Sequence, residues 1–237
     1  MRRLIHACAV LALAACSPAE DTKSKAEAPP QPVALAAPVP ASIAPSKTEA
    51  PAGAYALDKT HASLIFRVNH IGFSNYTGRF TSFDAQLIFD PANPSASSIT
   101  ATIDPRSLGL ENPPAGFVDE LLGAKWLNAT GFPQMNFRST KVELTSANTA
   151  KIKGDFTFRG VTLPVTLDAS FNGGYAGHPF DPNARIGFSA RGSLQRAAFG
   201  VKEGIPAPGT TMGVSDNVEI IIEAEFTGPP LVAPPAK

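Results

Sequence analysis

The stretch GDFTFRGVTLPVTLDASF, residues 154–171, alternates apolar and polar side chains on both sides of the dipeptide Arg159-Gly160. Alternation with a period of two is typical of β-strands that bury one face, and a glycine between two such runs indicates a hairpin turn. A turn at this dipeptide would place apolar side chains opposite one another on one face and polar pairs on the other. The cross-strand pairs predicted by this register are Phe158–Val161, Phe156–Leu163, Thr157–Thr162 and Lys151–Asp168.

The same alternation recurs through the rest of the chain. Six further segments show it, and turn-forming residues separate several of them: 62–70, 83–89, 98–104, 134–144, 185–194 and 217–226. In the segment 134–144 the apolar positions change phase after Phe137. One stretch, residues 116–127, instead has helical spacing and predicts a short helix in a long connection.

This pattern predicts an all-β fold with about eight strands and one short helix. Because closure of a sheet removes its exposed edges, we expect an up-and-down antiparallel barrel rather than an open sheet. A Greek-key sandwich is the alternative that the pattern leaves open.

The first residues predict an exported protein. Arg2 and Arg3 precede an apolar run, as in a signal peptide over residues 1–15, and the segment Leu13 to Cys16 resembles a bacterial lipobox. We therefore expect acylation of Cys16, although an ordinary secretory signal is the alternative. Because Ser17 follows the cysteine, analogy with enteric lipoproteins favours the periplasmic side of the envelope and the outer rather than the inner membrane.

The predicted domain lies between two segments of biased composition. Residues 16–53 are rich in Ala and Pro and predict a disordered tether, and residues 229–237 predict a disordered tail. All 15 phenylalanines follow residue 60, so residues 54–228 are expected to form one barrel domain.

The composition excludes several classes of function. A formal net charge of zero gives no basis for nucleic-acid binding. The two cysteines, Cys8 and Cys16, both lie at the N-terminus, so the domain itself has no thiolate metal site and no disulfide. The four histidines are not at metal-ligand spacing, and no metal is expected.

Catalytic motifs are equally weak. Asp58, His61 and Ser63 are close in sequence, but adjacent positions of one strand cannot easily form a catalytic triad. What remains is a phenylalanine-rich inward face, which suits hydrocarbon better than a sugar or a nucleotide. The residues alone leave open whether these side chains pack against each other or against a ligand.

Several motifs follow one another over about residues 55–226: YALDKTHASLIFRVNH, FPQMNFRST, GDFTFRGVTLPV, SLQRAAFG and VSDNVEIIIEAE. In this order they resemble the motifs of the YceI family of bacterial lipocalin-like, polyisoprenoid-binding proteins. His61 and His70 match the histidines of the first motif. Residues 108–117 depart from the family pattern, which affects the expected cavity mouth and its head-group selectivity.

The resemblance implies an eight-stranded lipocalin-like barrel that holds a long-chain isoprenoid or quinone-like lipid and uses no cofactor. The apolar lining that it implies comprises Leu64, Phe66, Val68, Phe83, Leu87, Met135, Phe137, Phe156, Phe158, Val161, Leu163, Phe188 and Ala190. Trp126, His70 and Arg196 are the expected contacts at the cavity mouth or with the lipid head group.

We therefore expect a membrane-tethered lipid-binding protein rather than an enzyme. Two alternatives remain: an enzyme on a lipid-like substrate that uses Asp58, His61 or Arg196, and a structural or partner-docking barrel with a solid core. The sequence does not indicate an oligomeric state.

Overall fold

The computed structural model describes residues 43–231, which form ten β-strands, one α-helix and three short 3-10 turns. The strands are β1 Gly53–His70, β2 Ser74–Phe80, β3 Phe83–Phe89, β4 Ser98–Ile103, β5 Leu108–Leu110, β6 Met135–Leu144, β7 Thr149–Phe158, β8 Val161–Tyr175, β9 Asn183–Gln195 and β10 Val214–Pro230. Helix α1 spans Phe117–Leu122, which confirms the predicted short helix. Between residues 43 and 231, no helix is long and apolar enough to cross a membrane.

Eight of these strands close into an antiparallel barrel, as predicted. The ring runs β1–β10–β9–β8–β7–β6–β4–β3 and returns to β1. Closure is possible because β1 is long enough to use two partners on one edge: Gly53–Ala56 pair with β3, whereas Leu64–His70 pair with β2. The strands β2 and β5 therefore extend the wall beyond the ring. They were not predicted because β2 has few apolar residues and β5 has only three residues.

The hairpin of residues 154–171 has the predicted register, with all four predicted pairs in place. On its outer face, Thr157 Oγ1 lies 2.8 Å from Thr162 Oγ1, and Lys151 Nζ lies 2.6 Å from the Asp168 carboxylate. Arg159 and Gly160 both have positive φ, 51° and 76°, as a type I′ turn requires. The Arg159 guanidinium donates to the carbonyl of Trp126, which helps to hold a non-glycine residue in this conformation.

The change of apolar phase in residues 134–144 also has a structural cause. The pairing of β6 with β7 shifts between Ser139 and Lys141, so one extra residue on β6 reverses which side chains point inward. Met135 and Phe137 face the interior before this bulge, and Val142 and Leu144 face it afterwards.

The folded part of the chain extends past both predicted domain boundaries, at residues 53/54 and 228/229. Strand β10 continues to Pro230, and residues 46–50, predicted as disordered tether, pack against the barrel. Ala50 is 2% exposed, and the amide of Ser46 donates to the carbonyl of Ala147 over 2.6 Å. We call residues 43–52 the arm; the rest of the predicted tether, residues 16–42, lies outside the described residues.

The core is densest near the start of β1, where Tyr55, Ile186 and Phe226 are 1%, 1% and 3% exposed. The Tyr55 hydroxyl donates to the carbonyl of Pro51 over 2.7 Å and so fixes the arm to the barrel. Gly228 makes this arrangement possible, because a Cβ atom built there would lie 2.0 Å from the Tyr55 ring.

A polar network on the outer surface links β1, β9 and β10. Residues 58–61 of β1 bulge out opposite Glu225 alone. The Asp58 carboxylate accepts hydrogen bonds from the Thr60 hydroxyl and from Arg185 Nη1, each over 2.6 Å. These hydrogen bonds, together with one from His61, hold the pKa of Asp58 well below its ordinary value.

Replacement of Gly228 by alanine should destabilise the barrel, since its methyl group would displace the buried Tyr55 ring. We expect the free energy of unfolding to fall by about 1–3 kcal/mol, measured by chemical denaturation. Gly187→Ala is the matched control, because a Cβ there meets only Asn172 at 3.8 Å. A change of similar size in both variants would contradict this account.

Asp58→Asn should lower the free energy of unfolding at pH 7 by about 1–2 kcal/mol, because Asp58 then loses its charge-assisted hydrogen bonds. Since folding depresses the pKa of Asp58 below 3.8, its contribution is present above pH 3.8 and is lost as the pH falls through the folded-state pKa. The difference in free energy of unfolding between wild type and Asp58→Asn should therefore become smaller in acid. The exposed Asp168→Asn, which breaks only a surface pair, should cost less than about 1 kcal/mol.

Candidate functional site: an elongated apolar cavity

An elongated cavity of about 740 Å³ runs through the interior of the barrel. At one end, the helix end, it reaches Phe117 and Leu121 of α1 together with Trp126 and Arg196. At the other, the arm end, it reaches Pro45, Ser46 and the β6–β7 turn at Ala147. The barrel is therefore not solid, which contradicts the alternative of a structural barrel with a solid core.

All but two of the predicted lining residues face this cavity. The exceptions are Val161 and Leu163, which are not among the residues that line it. Val161 directly follows the β7–β8 turn, where the hairpin ends, and is 36% exposed, while Leu163 packs near Phe158 and Phe199. The predicted residues that line the cavity are Leu64, Phe66, Val68, Phe83, Leu87, Met135, Phe137, Phe156, Phe158, Phe188 and Ala190.

Small side chains at inward positions keep the middle of the barrel open. Alanines contribute to the cavity wall from β3, β4, β7, β8, β9 and β10, where larger apolar residues would meet across the interior. The period of two predicts that these positions face inward, but it does not show that the barrel remains unfilled. The alanines are Ala85, Ala101, Ala150, Ala169, Ala190 and Ala224.

Aromatic clusters flank this open middle on both sides. Toward the arm end, the ring of Phe171 lies 5.8 Å from that of Phe89 and 5.4 Å from that of Phe188. Toward the helix end, the ring of Phe199 lies 5.6 Å from Phe156 and 5.8 Å from Phe158. Such contacts fix the rings in place, so the wall is preorganised for an apolar ligand.

The helix end carries the most polar part of the lining. Arg196 is 5% exposed and is the buried charged residue of the described chain. Its guanidinium donates to the carbonyls of Ser215, Val201 and Val214 over 2.9, 3.2 and 2.8 Å, and it lies 5.4 Å from the centre of the Trp126 ring.

No ion pair within residues 43–231 involves Arg196. Burial lowers the pKa of its guanidinium, while the charge of Asp216 acts in the opposite direction. Because a guanidinium has five N–H donors, the three backbone bonds leave donors available at a wall of the cavity. His70 and Tyr76 line the same end, so all three predicted mouth residues lie together.

The arm end was missed by sequence reasoning. Pro45, Ser46 and Thr48 of the arm line the cavity there, and Thr48 Oγ1 donates to the carbonyl of Gly174 over 3.3 Å. The alternation of half-buried Ser46 and Thr48 with exposed Lys47 and Glu49 is strand-like. Within this Ala- and Pro-rich segment that pattern is too short to detect.

The side chains that line the cavity are suited to bind a ligand rather than to catalyse a reaction on it. Its ionisable side chains among the described residues are His70, Tyr76 and Arg196, without a carboxylate partner, so a paired general acid and base does not face the cavity. Of the three residues of the enzyme alternative, Asp58 and His61 do not line the cavity, whereas Arg196 does.

Asp58, His61 and Glu225 do lie close together on the outer surface, with candidate ligand atoms within 4.8 Å of one another. Arg185 already supplies the positive charge at this point, since its Nη1 lies 2.6 Å from the Asp58 carboxylate and 3.7 Å from that of Glu225. The hydrogen bond with Asp58 also raises the pKa of His61. The arrangement is that of an ion-pair network rather than of a metal site.

Comparisons with known proteins identify the family of this chain. A family model described as "YceI-like domain" matches residues 55–226. Protein YceI of Shigella flexneri is 36% identical over 179 residues, which is 73% of this chain and 86% of the relative. A UPF0312 protein of Vibrio cholerae serotype O1 is 33% identical over 176 residues, 73% of this chain and 87% of the relative.

A solved structure shows the same architecture. The crystal structure of Burkholderia cenocepacia BcnA has a TM-score of 0.61 and 25% sequence identity, and the match covers 71% of this chain and 98% of that one. The family match extends from Tyr55 in the dense core to Phe226 on β10, so it includes most of each of the eight strands of the ring. The chain belongs to the YceI family.

Proposed function

We propose that this protein binds a long-chain isoprenoid or isoprenoid quinone-like lipid within the barrel and carries or stores it on the periplasmic side of the cell envelope. The observation that supports this most strongly is the elongated, almost wholly apolar cavity of about 740 Å³. Since a cavity of about 150 Å³ holds one benzene molecule, this volume holds roughly thirty carbon atoms, or about six isoprene units.

The driving force for binding would be the burial of hydrocarbon. Each square ångström of apolar surface removed from water contributes about 25 cal/mol, and the fixed aromatic rings of the wall reduce the cost of ordering the site. The resemblance to the YceI family agrees with such a ligand. We also propose acylation at Cys16, which would tether the barrel to a membrane, the outer membrane in preference to the inner.

The head group would lie at the helix end. Arg196 offers hydrogen-bond donors there, and it is a buried cation without an ion-pair partner in the described chain. A ligand group with strong hydrogen-bond acceptors, such as a phosphate or a quinone carbonyl, would complement it. The hydrocarbon chain would then extend past the alanines toward the arm.

Native mass spectrometry of the full chain tests the proposal. Cys16→Ser excludes acyl modification. After gentle purification, the protein should carry an added mass, and extraction with organic solvent should release a prenyl lipid of that mass. An apo mass, together with no uptake of added polyprenol or prenyl quinone, would refute lipid binding.

Ala101→Phe should reduce binding of the longest chains by on the order of tenfold, because its ring would occupy the cavity middle. Ala56→Phe is the matched control, since Ala56 is exposed and does not line the cavity. Titration with prenyl alcohols of graded length measures both. Equal loss in the two variants would show that the cavity is not the binding site.

Arg196→Gln should weaken the preference of the protein for a phosphate head group over a hydroxyl head group. We expect wild type to bind a prenyl phosphate more tightly than the prenyl alcohol of equal length, and the variant to lose about tenfold of that preference. The control is Arg191→Gln, at an exposed arginine outside the cavity. If Arg196→Gln does not fold, the affinities of wild type for the two ligands test the preference by themselves. Equal affinities for the prenyl phosphate and the prenyl alcohol would contradict a head-group site at Arg196.

A further inference from the structure

Two exposed apolar side chains lie on adjoining loops at the helix end of the barrel. Phe73, in the β1–β2 turn, is 84% exposed, and Met212, just before β10, is 72% exposed. The two loops contact each other: the Ile71 amide donates to the carbonyl of Gly213 over 2.8 Å, and a Cβ built on Gly72 would lie 3.1 Å from Thr211 Oγ1.

The same loops form part of the candidate binding site. His70 and Tyr76 flank the turn that carries Phe73, and Gly204 and Val214 flank the segment that carries Met212; all four line the cavity. The apolar tips therefore stand beside the end of the cavity where Arg196 lies.

The tips of these loops carry no charged residue, whereas Lys202 and Glu203 precede the second tip in the same connection. Residues 71–78 and 204–214 contain no Asp, Glu, Lys or Arg. Insertion of these segments into the interfacial region of a bilayer would thus bury apolar groups without the cost of desolvating a charged side chain.

The loop that carries Phe180 differs from those of Phe73 and Met212 in its charge and in its position relative to the cavity lining. Phe180 is 95% exposed, but its neighbour Asp181 accepts a hydrogen bond from the Tyr175 hydroxyl over 2.6 Å and pairs with Arg185. This loop does not contribute to the cavity. Exposure alone therefore does not distinguish the two sites, whereas charge and continuity with the cavity do.

We propose that Phe73 and Met212 dock the helix end onto a lipid bilayer, so that a prenyl lipid passes between the membrane and the cavity without crossing water. This inference rests on the proposed function for the identity of the cargo. The partner is the bilayer surface itself, and the two side chains are its anchors.

The length of chain before the arm permits this orientation. The arm lies at the opposite end of the barrel, and β10 has 17 residues, so the wall is at most about 55 Å long at roughly 3.3 Å per residue. An anchor at Cys16 leaves a stretch before Ile43 that reaches up to about 80 Å when extended at roughly 3.1 Å per residue. A tethered barrel can thus turn its helix end toward its own membrane.

Vesicle flotation tests the docking directly. The chain from residue 16 onward with Cys16→Ser, which lacks both the apolar signal segment and any acyl anchor, is mixed with vesicles of phosphatidylethanolamine and phosphatidylglycerol, either unloaded or loaded with a prenyl quinone. The double variant Phe73→Ser with Met212→Ser should lower both the vesicle-bound fraction and the initial rate of quinone uptake by on the order of tenfold.

Three comparisons make the result specific. Phe180→Ser should leave flotation and uptake unchanged, and Phe73→Leu with Met212→Leu should retain most of both. The serine variant should bind quinone delivered from ethanol with the affinity of wild type, because neither side chain lines the cavity.

Unchanged flotation and uptake in the serine variant, or an equal loss with Phe180→Ser, would overturn the docking proposal. Failure of every protein to bind quinone from either source would instead refute the proposed function. Flotation on unloaded vesicles would still decide whether Phe73 and Met212 anchor the barrel.

Discussion

The pairing of β1 with β10 on one edge and with β3 on the other closes the sheet, and the rest of the structure depends on this closure. In a closed ring the strand period of two becomes a division between an interior and an outer face. Every inward side chain then meets either another side chain or an enclosed space. The alanines at inward positions of six strands determine that part of this space stays open.

Much of the fold could be predicted, because alternation and turn chemistry are local properties. The register of the hairpin around Arg159-Gly160 followed from pairing apolar with apolar residues. The change of phase after Phe137 was visible in the sequence, and the structure shows that its cause is the bulge in β6. The strands β2 and β5 were missed because their pattern is short or weakly apolar. The packing of Ala50 and Ser46 was missed because it depends on contacts with residues about 100 or more positions away along the chain.

For the candidate site, alternation predicted which side chains face inward but not where a strand end leaves the wall. Val161 has the correct cross-strand partner and yet lies too near the turn to reach the cavity. The volume of the cavity could not be predicted either, since it results from the sum of side chains on separate strands. The buried Arg196 was proposed from the family motif, whereas its three backbone carbonyl partners are a tertiary property.

The central claim is that the cavity holds a lipid chain with its head group at the helix end. A crystal structure of the full chain, purified gently from its host, tests this most directly. We expect continuous elongated density that begins beside Arg196, passes Ala101 and ends near Ser46. A cavity that contains only ordered water, or that has collapsed so that side chains fill it, would contradict the claim.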